Sequence, residues 1–304
     1  MAQLLPIFVT AAIISIVAGL DSENIIGGQN ANLNGFKYQV FILVNYKNGG
    51  ASCGGALIHR QFILTSTSCI TVGMNKSTGL EPNTVYARVH LGTDDLESNT
   101  QGGKIRVKEI YIHKYVTPVG LFYSNDIVVL KLETPVSNHL TAGVVKLPKS
   151  DEPIFGGNTF VSGFGYNSIQ MKNRGGQLEP VPIWPHKKLK YAKVNVIPLI
   201  RCEIPKDTIK KERLMSTLFC GTIMPEPGVQ HYGSCYGDGG SPLVRNGEII
   251  GILTRTWVDC DESRVPVIYT KVTGYLYFIN NILEGQPGPE TKKYVTRFPP
   301  DLIN

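Results

Sequence analysis

Short runs dominated by Val, Ile, Leu, Tyr and Phe recur along the chain between turn signals. Tyr38 to Tyr46 ends before Lys47-Asn48-Gly49-Gly50, and Ile127 to Leu132 ends before Thr134-Pro135. Apolar runs of that length, closed by Gly, Asn and Pro, predict β-strands, and their recurrence predicts a sandwich or a barrel. Glycine is dense over Gly156 to Gly165 and Gly228 to Gly240, which predicts tight turns or backbone that approaches a ligand closely. The period changes only near the end. Val272 to Leu283 carries Tyr275, Leu276, Ile279 and Leu283 near helical spacing and stops before Gly285-Gln286-Pro287-Gly288-Pro289, which predicts one terminal helix. The tail 285–304, with Pro287, Pro289, Pro299, Pro300 and several charges, is expected to be disordered, with a docking segment as the alternative.

Composition supports a globular, mainly β chain. Its 304 residues are 42% apolar and 18% charged, enough to bury a sizeable core, and its 32 glycines and 19 prolines are spread along the chain rather than clustered. Residues 1–20 form one apolar run with small residues at Val17 and Gly19 but no Lys or Arg at its start. We read 1–19 as a signal peptide and 20–24 as a short pro-segment. An uncleaved anchor is disfavoured by Pro6 and by a length that barely spans a bilayer, so no membrane span is expected after signal removal.

Secretion permits disulfides, and the chain has six cysteines, for which 15 pairings exist. No CxxC and no Cys/His cluster at zinc spacing occurs, so neither metal nor other cofactor is expected. Net charge is +6, with basic residues gathered in His186-Lys187-Lys188-Leu189-Lys190 and in Lys206 to Arg213. Such clusters could attract polyanions or could simply be solvated loops; nucleic acid is not an expected partner of a secreted chain. Asn75-Lys76-Ser77 is a glycosylation sequon in an expected surface loop.

Four segments in order, Ile25-Ile26-Gly27-Gly28, Leu64 to Cys69, Asn125-Asp126-Ile127 and Gly237-Asp238-Gly239-Gly240-Ser241-Pro242, with Val161-Ser162-Gly163-Phe164-Gly165 between them, resemble the chymotrypsin-like serine proteases. The resemblance spans 25–284. It implies an all-β fold of two six-stranded antiparallel β-barrels with a C-terminal helix and a cleft between the barrels. It also implies the pairings Cys53–Cys69, Cys202–Cys220 and Cys235–Cys260, each loop closure contributing roughly 3 kcal/mol.

Set against that family, the chemistry is incomplete. Acyl transfer by this route needs a Ser hydroxyl, an imidazole that takes its proton, and a carboxylate that fixes the imidazole. The resemblance puts Ser68 at the His position, Asp126 at the carboxylate and Gly239 at the nucleophile. A serine hydroxyl has no useful basicity near neutral pH, and Gly239 has no side chain. Ser241 lies two residues on, where the turn fixes a different direction, and His59 is expected at the surface of a strand. The amides of Gly237 and Gly239 could still form an anion-accepting turn.

Activation in the family frees the amine of the residue matching Ile25, which pairs with the residue matching Asp238. Residues 1–24 hold no Lys or Arg for a trypsin-like activator, so only cleavage after Asn24 would release Ile25. At the specificity pocket, Gly233 stands where trypsins carry Asp, leaving no acidic base for Lys or Arg, and Thr254-Arg255-Thr256 replaces the usual Ser-Trp-Gly, with Thr256 crowding the entrance.

These departures predict a secreted, catalytically inactive serine protease homologue. It would act by binding an extracellular protein such as a protease, inhibitor or cascade component, as a regulator, cofactor or decoy. The alternatives are a polyanion- or surface-binding protein of the azurocidin type, which also has Ser and Gly at those two positions, and a hydrolase rebuilt around His231 or Ser241.

Overall fold

The protein was analysed as a computed structural model, which describes residues 25–46, 49–71, 84–98, 102–119, 122–149, 155–166, 169–174, 177–182, 187–202, 216–256, 260–263 and 265–296. The expected signal peptide and pro-segment, Asn75, His186 and the basic run Lys206 to Arg213 lie outside these residues.

After the short β1 (Gln29–Asn30), the first half contributes β2 (Gln39–Tyr46), β3 (Gly49–His59), β4 (Phe62–Thr65), β5 (Thr84–Leu91), β6 (Gly103–His113) and β9 (Val128–Leu132), with the hairpin β7 (Thr117–Val119) and β8 (Phe122–Ser124) inserted before β9. Their antiparallel order β6-β5-β2-β3-β4-β9 closes through β6–β9 pairing into a six-stranded barrel. The second half contributes β10 (Thr159–Gly163), the hairpin β11 (Ile169–Arg174) and β12 (Gln177–Pro182), then β13 (Lys190–Ile197), β14 (Leu218–Ile223), β15 (Pro242–Arg245), β16 (Glu248–Arg255) and β17 (Val267–Lys271). The order β13-β10-β15-β16-β17-β14 closes through β13–β14 pairing into a second six-stranded barrel, with β1 attached to β13. Closure leaves few sheet edges unpaired.

The apolar side of each strand fills its own barrel. Val40, Ile42, Val44, Val89, Ile110, Val128 and Leu130 pack in the first, and Val161, Phe219, Leu243, Ile250, Leu253 and Tyr269 in the second. A third cluster joins the two, setting Ile58, Phe62, Leu64 and Val129 against Val244, Ile252 and the terminal helix. That helix, α2 (Leu276–Leu283), follows one 3₁₀ turn over Val272–Tyr275 and buries Phe278, Ile279 and Ile282. Gly285, with φ 77°, lets the chain leave it: its amide bonds the Ile282 carbonyl at 3.1 Å while Gln286 bonds Asn281 at 2.7 Å, the glycine C-terminal arrangement expected of this sequence.

Three disulfides, Cys53–Cys69, Cys202–Cys220 and Cys235–Cys260, close the pairs that the resemblance implies. The tail departs from expectation. Instead of being disordered throughout 285–304, the chain turns back and Thr291–Val295 forms β18, antiparallel to β6 of the first barrel with Thr291 opposite His113 and Val295 opposite Glu109. Backbone pairing along an open edge needs no apolar alternation, and Lys293 adds an ion pair to Glu109 at 3.0 Å; residues 297–304 are not among those described.

Candidate functional site

The cleft is framed by a corner of the first barrel and a turn of the second. After β4, the four-residue helix α1 (Thr67–Ile70) carries Ser68, and the Cys53–Cys69 bridge ties the helix back to β3. Asp126, fully buried, lies before β9 and faces it. Ser68 meets Asp126 twice: its amide donates to Oδ1 at 2.9 Å, and its hydroxyl lies 3.1 Å from Oδ2. The same hydroxyl is 3.2 Å from the Thr254 carbonyl and 3.0 Å from Ser66 Oγ. The Ser68 hydroxyl thus lies between a carboxyl of the first barrel and a backbone carbonyl of the second. Burial pushes the Asp126 carboxyl up to about 7, against the lowering effect of its bonds from Ser68 and Thr67.

The facing turn runs from Cys235 to Ser241. Gly237 and Gly240 take φ of 90° and 83°, values that favour glycine. The Gly240 amide donates to Leu253 at 2.7 Å, Ser241 to Asp238 at 2.9 Å, and the Gly239 carbonyl accepts from Gly54 at 2.9 Å. Gly240 must also lack a Cβ because the Thr65 hydroxyl occupies that position. Gly239 differs: its φ is unexceptional and no atom would lie within 4 Å of an added Cβ. Ser241 is fully buried with its hydroxyl unpaired among the described residues, packed onto Gly54. His231 is at the surface, its ring 80% exposed and 3.6 Å from Asp261. A base and a nucleophile separated in this way, one in solvent and one in the core, do not meet. His59 ends β3 and is exposed.

Below the turn, Asp238 is fully buried, and its oxygens accept from the Gly165 and Cys235 amides, both at 2.9 Å. Burial pushes this carboxyl up to about 7 as well. Ile25 is fully buried among Val161, Phe219 and Tyr269, and Ile26 exchanges both backbone bonds with Gly233, at 2.9 and 3.0 Å. The Ile25 segment and the segment leading to Asp238 are thus brought together by an isolated bridge.

At the pocket base, Gly233 is held by contact rather than by φ. A Cβ there would collide with the Cys260 carbonyl oxygen and stand 3.1 Å from Glu262 Cγ. The Glu262 side chain therefore fills the space into which a side chain at Gly233 would project. It is 3% exposed; Oε1 accepts from the Ser234 amide at 2.7 Å and hydroxyl at 2.9 Å, and Oε2 from the Ile223 amide at 3.0 Å. Gly233 itself contributes no acid, and the buried Glu262 carboxyl beside it, supplied by the loop after Cys260, is engaged with Ser234 and Ile223. The signal in the sequence was the pair Asp261-Glu262 beside a cysteine whose bridge brings that loop to Cys235. Thr254 is buried with its hydroxyl donating to Ile268 at 3.1 Å, and Thr256 is partly exposed.

The basic cluster at 187–190 is dispersed. Lys187 pairs with Glu97, and Lys190 is buried within β13. Among the described residues no group of three or more His, Cys, Asp or Glu could hold a metal ion, and no helix is long and apolar enough to cross a membrane.

Two closed barrels with the cleft between them narrow the relatives, and comparison with known proteins decides the matter: the family model described as Trypsin matches residues 25–279. The chain belongs to the trypsin family. Trypsin-family relatives include snake venom serine protease 2 of Protobothrops flavoviridis, 28% identical over 87% of this chain and 89% of that protein, and a beta-fibrinogenase-like protein of Daboia siamensis, 30% identical over the same shares. Among solved structures, the scabies mite inactivated protease paralogue S-D1 superposes with a TM-score of 0.63 at 25% identity, covering 87% of this chain and all of that one. Human heparin binding protein shares the trypsin-family fold at a TM-score of 0.60 and 24% identity, with the same coverage.

Proposed function

We propose that this trypsin-family chain acts by binding and does not hydrolyse peptides: a secreted regulator, cofactor or decoy whose partner is an extracellular protein of a proteolytic system. The observation that carries the reading is the Ser68–Asp126 contact opposite an empty Gly239. A hydroxyl with no useful basicity faces the carboxylate in place of a proton acceptor, and no atom stands where a nucleophile is needed. Loss of the base or nucleophile of such a triad costs on the order of a millionfold in turnover.

A relative named as an inactivated protease supports this reading, whereas relatives named as venom proteases pull the other way, so residues rather than ancestry must decide. The apolar leader at 1–20, three disulfides and venom-protein relatives support an extracellular location. Of the two basic clusters that a polyanion surface would use, the one at 187–190 is dispersed, with Lys190 buried and Lys187 paired with Glu97.

The test is to expose the secreted protein, N-terminally sequenced, to a fluorophosphonate probe and a broad peptide-substrate library, beside a Ser68→His plus Gly239→Ser variant. No labelling and no cleavage by the native chain is expected. Stoichiometric labelling at a defined serine of the native chain would overturn the reading.

A further inference from the structure

Beyond residue 279, where the family model ends, the chain adds a contact of its own. From α2 it runs through Gly285-Gln286-Pro287-Gly288-Pro289 into β18 on the edge of β6. The seam starts at His113, the last residue of β6: Thr291 stands opposite it in the ladder, and the Lys114 amide donates to the Glu290 carbonyl at 2.7 Å. The imidazole sits among three aromatic rings, with centroids 5.7 Å away at Tyr115, 5.5 Å at Tyr275 and 5.3 Å at Phe278. His113 Nδ1, Glu290 Oε1 and Thr291 Oγ1 are all buried, and none has a hydrogen-bond partner among the described residues. Buried polar atoms are seldom left so; three along one seam mean that backbone bonds, not these side chains, hold the tail there.

We propose that the C-terminal segment 286–296 is an acid-released latch: protonation of His113 drives Glu290 and Thr291 off its ring and frees the edge of β6 over Glu109 to His113. The proposal holds whether or not the cleft is catalytic.

A proton on Nδ1 would put a charge and a new donor on a buried atom. The charged groups that face the ring are Glu290 from the tail and Lys114 next in the chain; the terminal turn and helix contribute the neutral rings of Tyr275 and Phe278, and the chain after β6 that of Tyr115. Burial pushes the imidazole below its ordinary value, and the attraction of Glu290, countered by Lys114, does not reverse that. A released ring titrates near 6.5. The docked state therefore takes up the proton less readily than the released state, so docking is complete above that pH and weakens as pH falls through the lower docked value.

The tail, not the aromatic socket, is the part that yields. Asn125 braces the socket from behind: its Oδ1 accepts from the Tyr275 hydroxyl at 3.0 Å and its Nδ2 donates to the Tyr115 carbonyl at 2.8 Å. Phe278 is fixed in the core that joins the barrels. In β18 no residue is fully buried, and Lys292, Lys293 and Val295 are exposed, the profile of a segment that opens locally. The Lys293–Glu109 pair does not respond in this range. Burial works against the Glu109 charge, but the bonds from Tyr111 and Lys293, with Lys131 beside them, hold its carboxyl below the ordinary value.

Hydrogen exchange of the full chain, read by mass spectrometry and divided by the intrinsic rate at each pH, tests the latch. Between pH 7.5 and 5 the amides of 291–295 are expected to lose protection by about threefold or more, while those of β2 do not. His113→Phe, which fills the socket with a ring that cannot titrate, should abolish the loss. Glu290→Gln, which removes the nearby negative charge, should move the release to higher pH. Tail protection that is flat or rises toward acid in the native chain, an undiminished loss in His113→Phe, or a release in Glu290→Gln that stays put or moves to lower pH would overturn the proposal. Should His113→Phe not fold, the native profile and Glu290→Gln decide.

Discussion

At Gly239 and at Gly233 the chain lacks a side chain in two physically different ways. Around Gly239 no atom would lie within 4 Å of a Cβ, and the Ser68 hydroxyl across the cleft takes up only the contacts to Asp126, Thr254 and Ser66. Around Gly233 the space is taken: the Cys260 carbonyl and Glu262 Cγ close on it, and the Glu262 carboxylate is bonded on both oxygens. The first absence leaves open space and an undisturbed frame. The second is filled by a carboxyl side chain from another segment.

The largest effect should come from refilling the first absence. Because base and nucleophile act as a unit, Ser68→His alone and Gly239→Ser alone are each expected to leave peptide-ester hydrolysis at background, whereas the double variant should exceed the native chain by about a thousandfold or more. The supporting parts are present: Asp126 is in position for a ring, the turn amides are held by Gly237 and Gly240, and Gly239 has room for a hydroxyl. An inert double variant that melts normally would show that the frame, and not only the side chains, departs from a working cleft.

Next in size is a dependence on pH that both regions share. Burial pushes Asp126, Asp238 and Glu262 up to about 7 in the folded chain, while in the unfolded chain they titrate at ordinary carboxylate values near 4. The folded state therefore holds protons that the unfolded state has released, and the stability this confers is complete below about pH 4 and lost as pH climbs through 7. Two histidines work oppositely at lower pH: burial, then Lys104 and Arg88, push His90 down to about 4, and burial also lowers His113. Their contribution is complete once the unfolded histidines deprotonate near pH 6.5. Between pH 6.5 and 8 the carboxylates dominate, and the unfolding temperature should drop by about 5 °C or more. A flat or rising midpoint in that window, read by calorimetry, would contradict the burial described for these groups. Asp126→Asn and Glu262→Gln should each flatten the slope.

Much of this arrangement was legible in the sequence, and the parts that were not have physical reasons. Apolar runs closed by Gly and Pro marked the strands, and Tyr275 and Ile279 marked the terminal helix, because burial on one face leaves a period in the chain. Ser68, Asp126 and Gly239 were readable because the turns that hold them are local. The position of Glu262 was not, since it follows from how the Cys235–Cys260 bridge folds one loop onto Gly233, a contact with no periodic trace. The strand β18 escaped for a related reason: Thr291–Val295 docks through backbone bonds to β6, with Lys292 and Lys293 exposed, and an edge strand of that kind lacks the apolar alternation that betrays a core strand. Lys190, counted with a basic surface cluster, is buried within β13. Charge alone did not reveal which way it pointed.

The smallest effects come from adding one methyl group at each glycine. Gly233→Ala should destabilise by about 1–3 kcal/mol, as overpacking does, because one of the colliding atoms is the Cys260 backbone carbonyl, which cannot swing aside as a side-chain tip could. It should also disturb Glu262 and its bonds to Ser234 and Ile223. Gly239→Ala meets no neighbour and sits at an ordinary φ, so it should be neutral or stabilise by about 0.4–1 kcal/mol through the unfolded chain. Denaturant melts of the two variants measure the difference directly. If Gly239→Ala proved as damaging as Gly233→Ala, the space at Gly239 would be as tightly occupied as that at Gly233, and the contrast between an emptied reaction centre and a filled pocket base would collapse. If the two separate as expected, a methyl group suffices to distinguish a glycine with open space around it from one against which another side chain has packed.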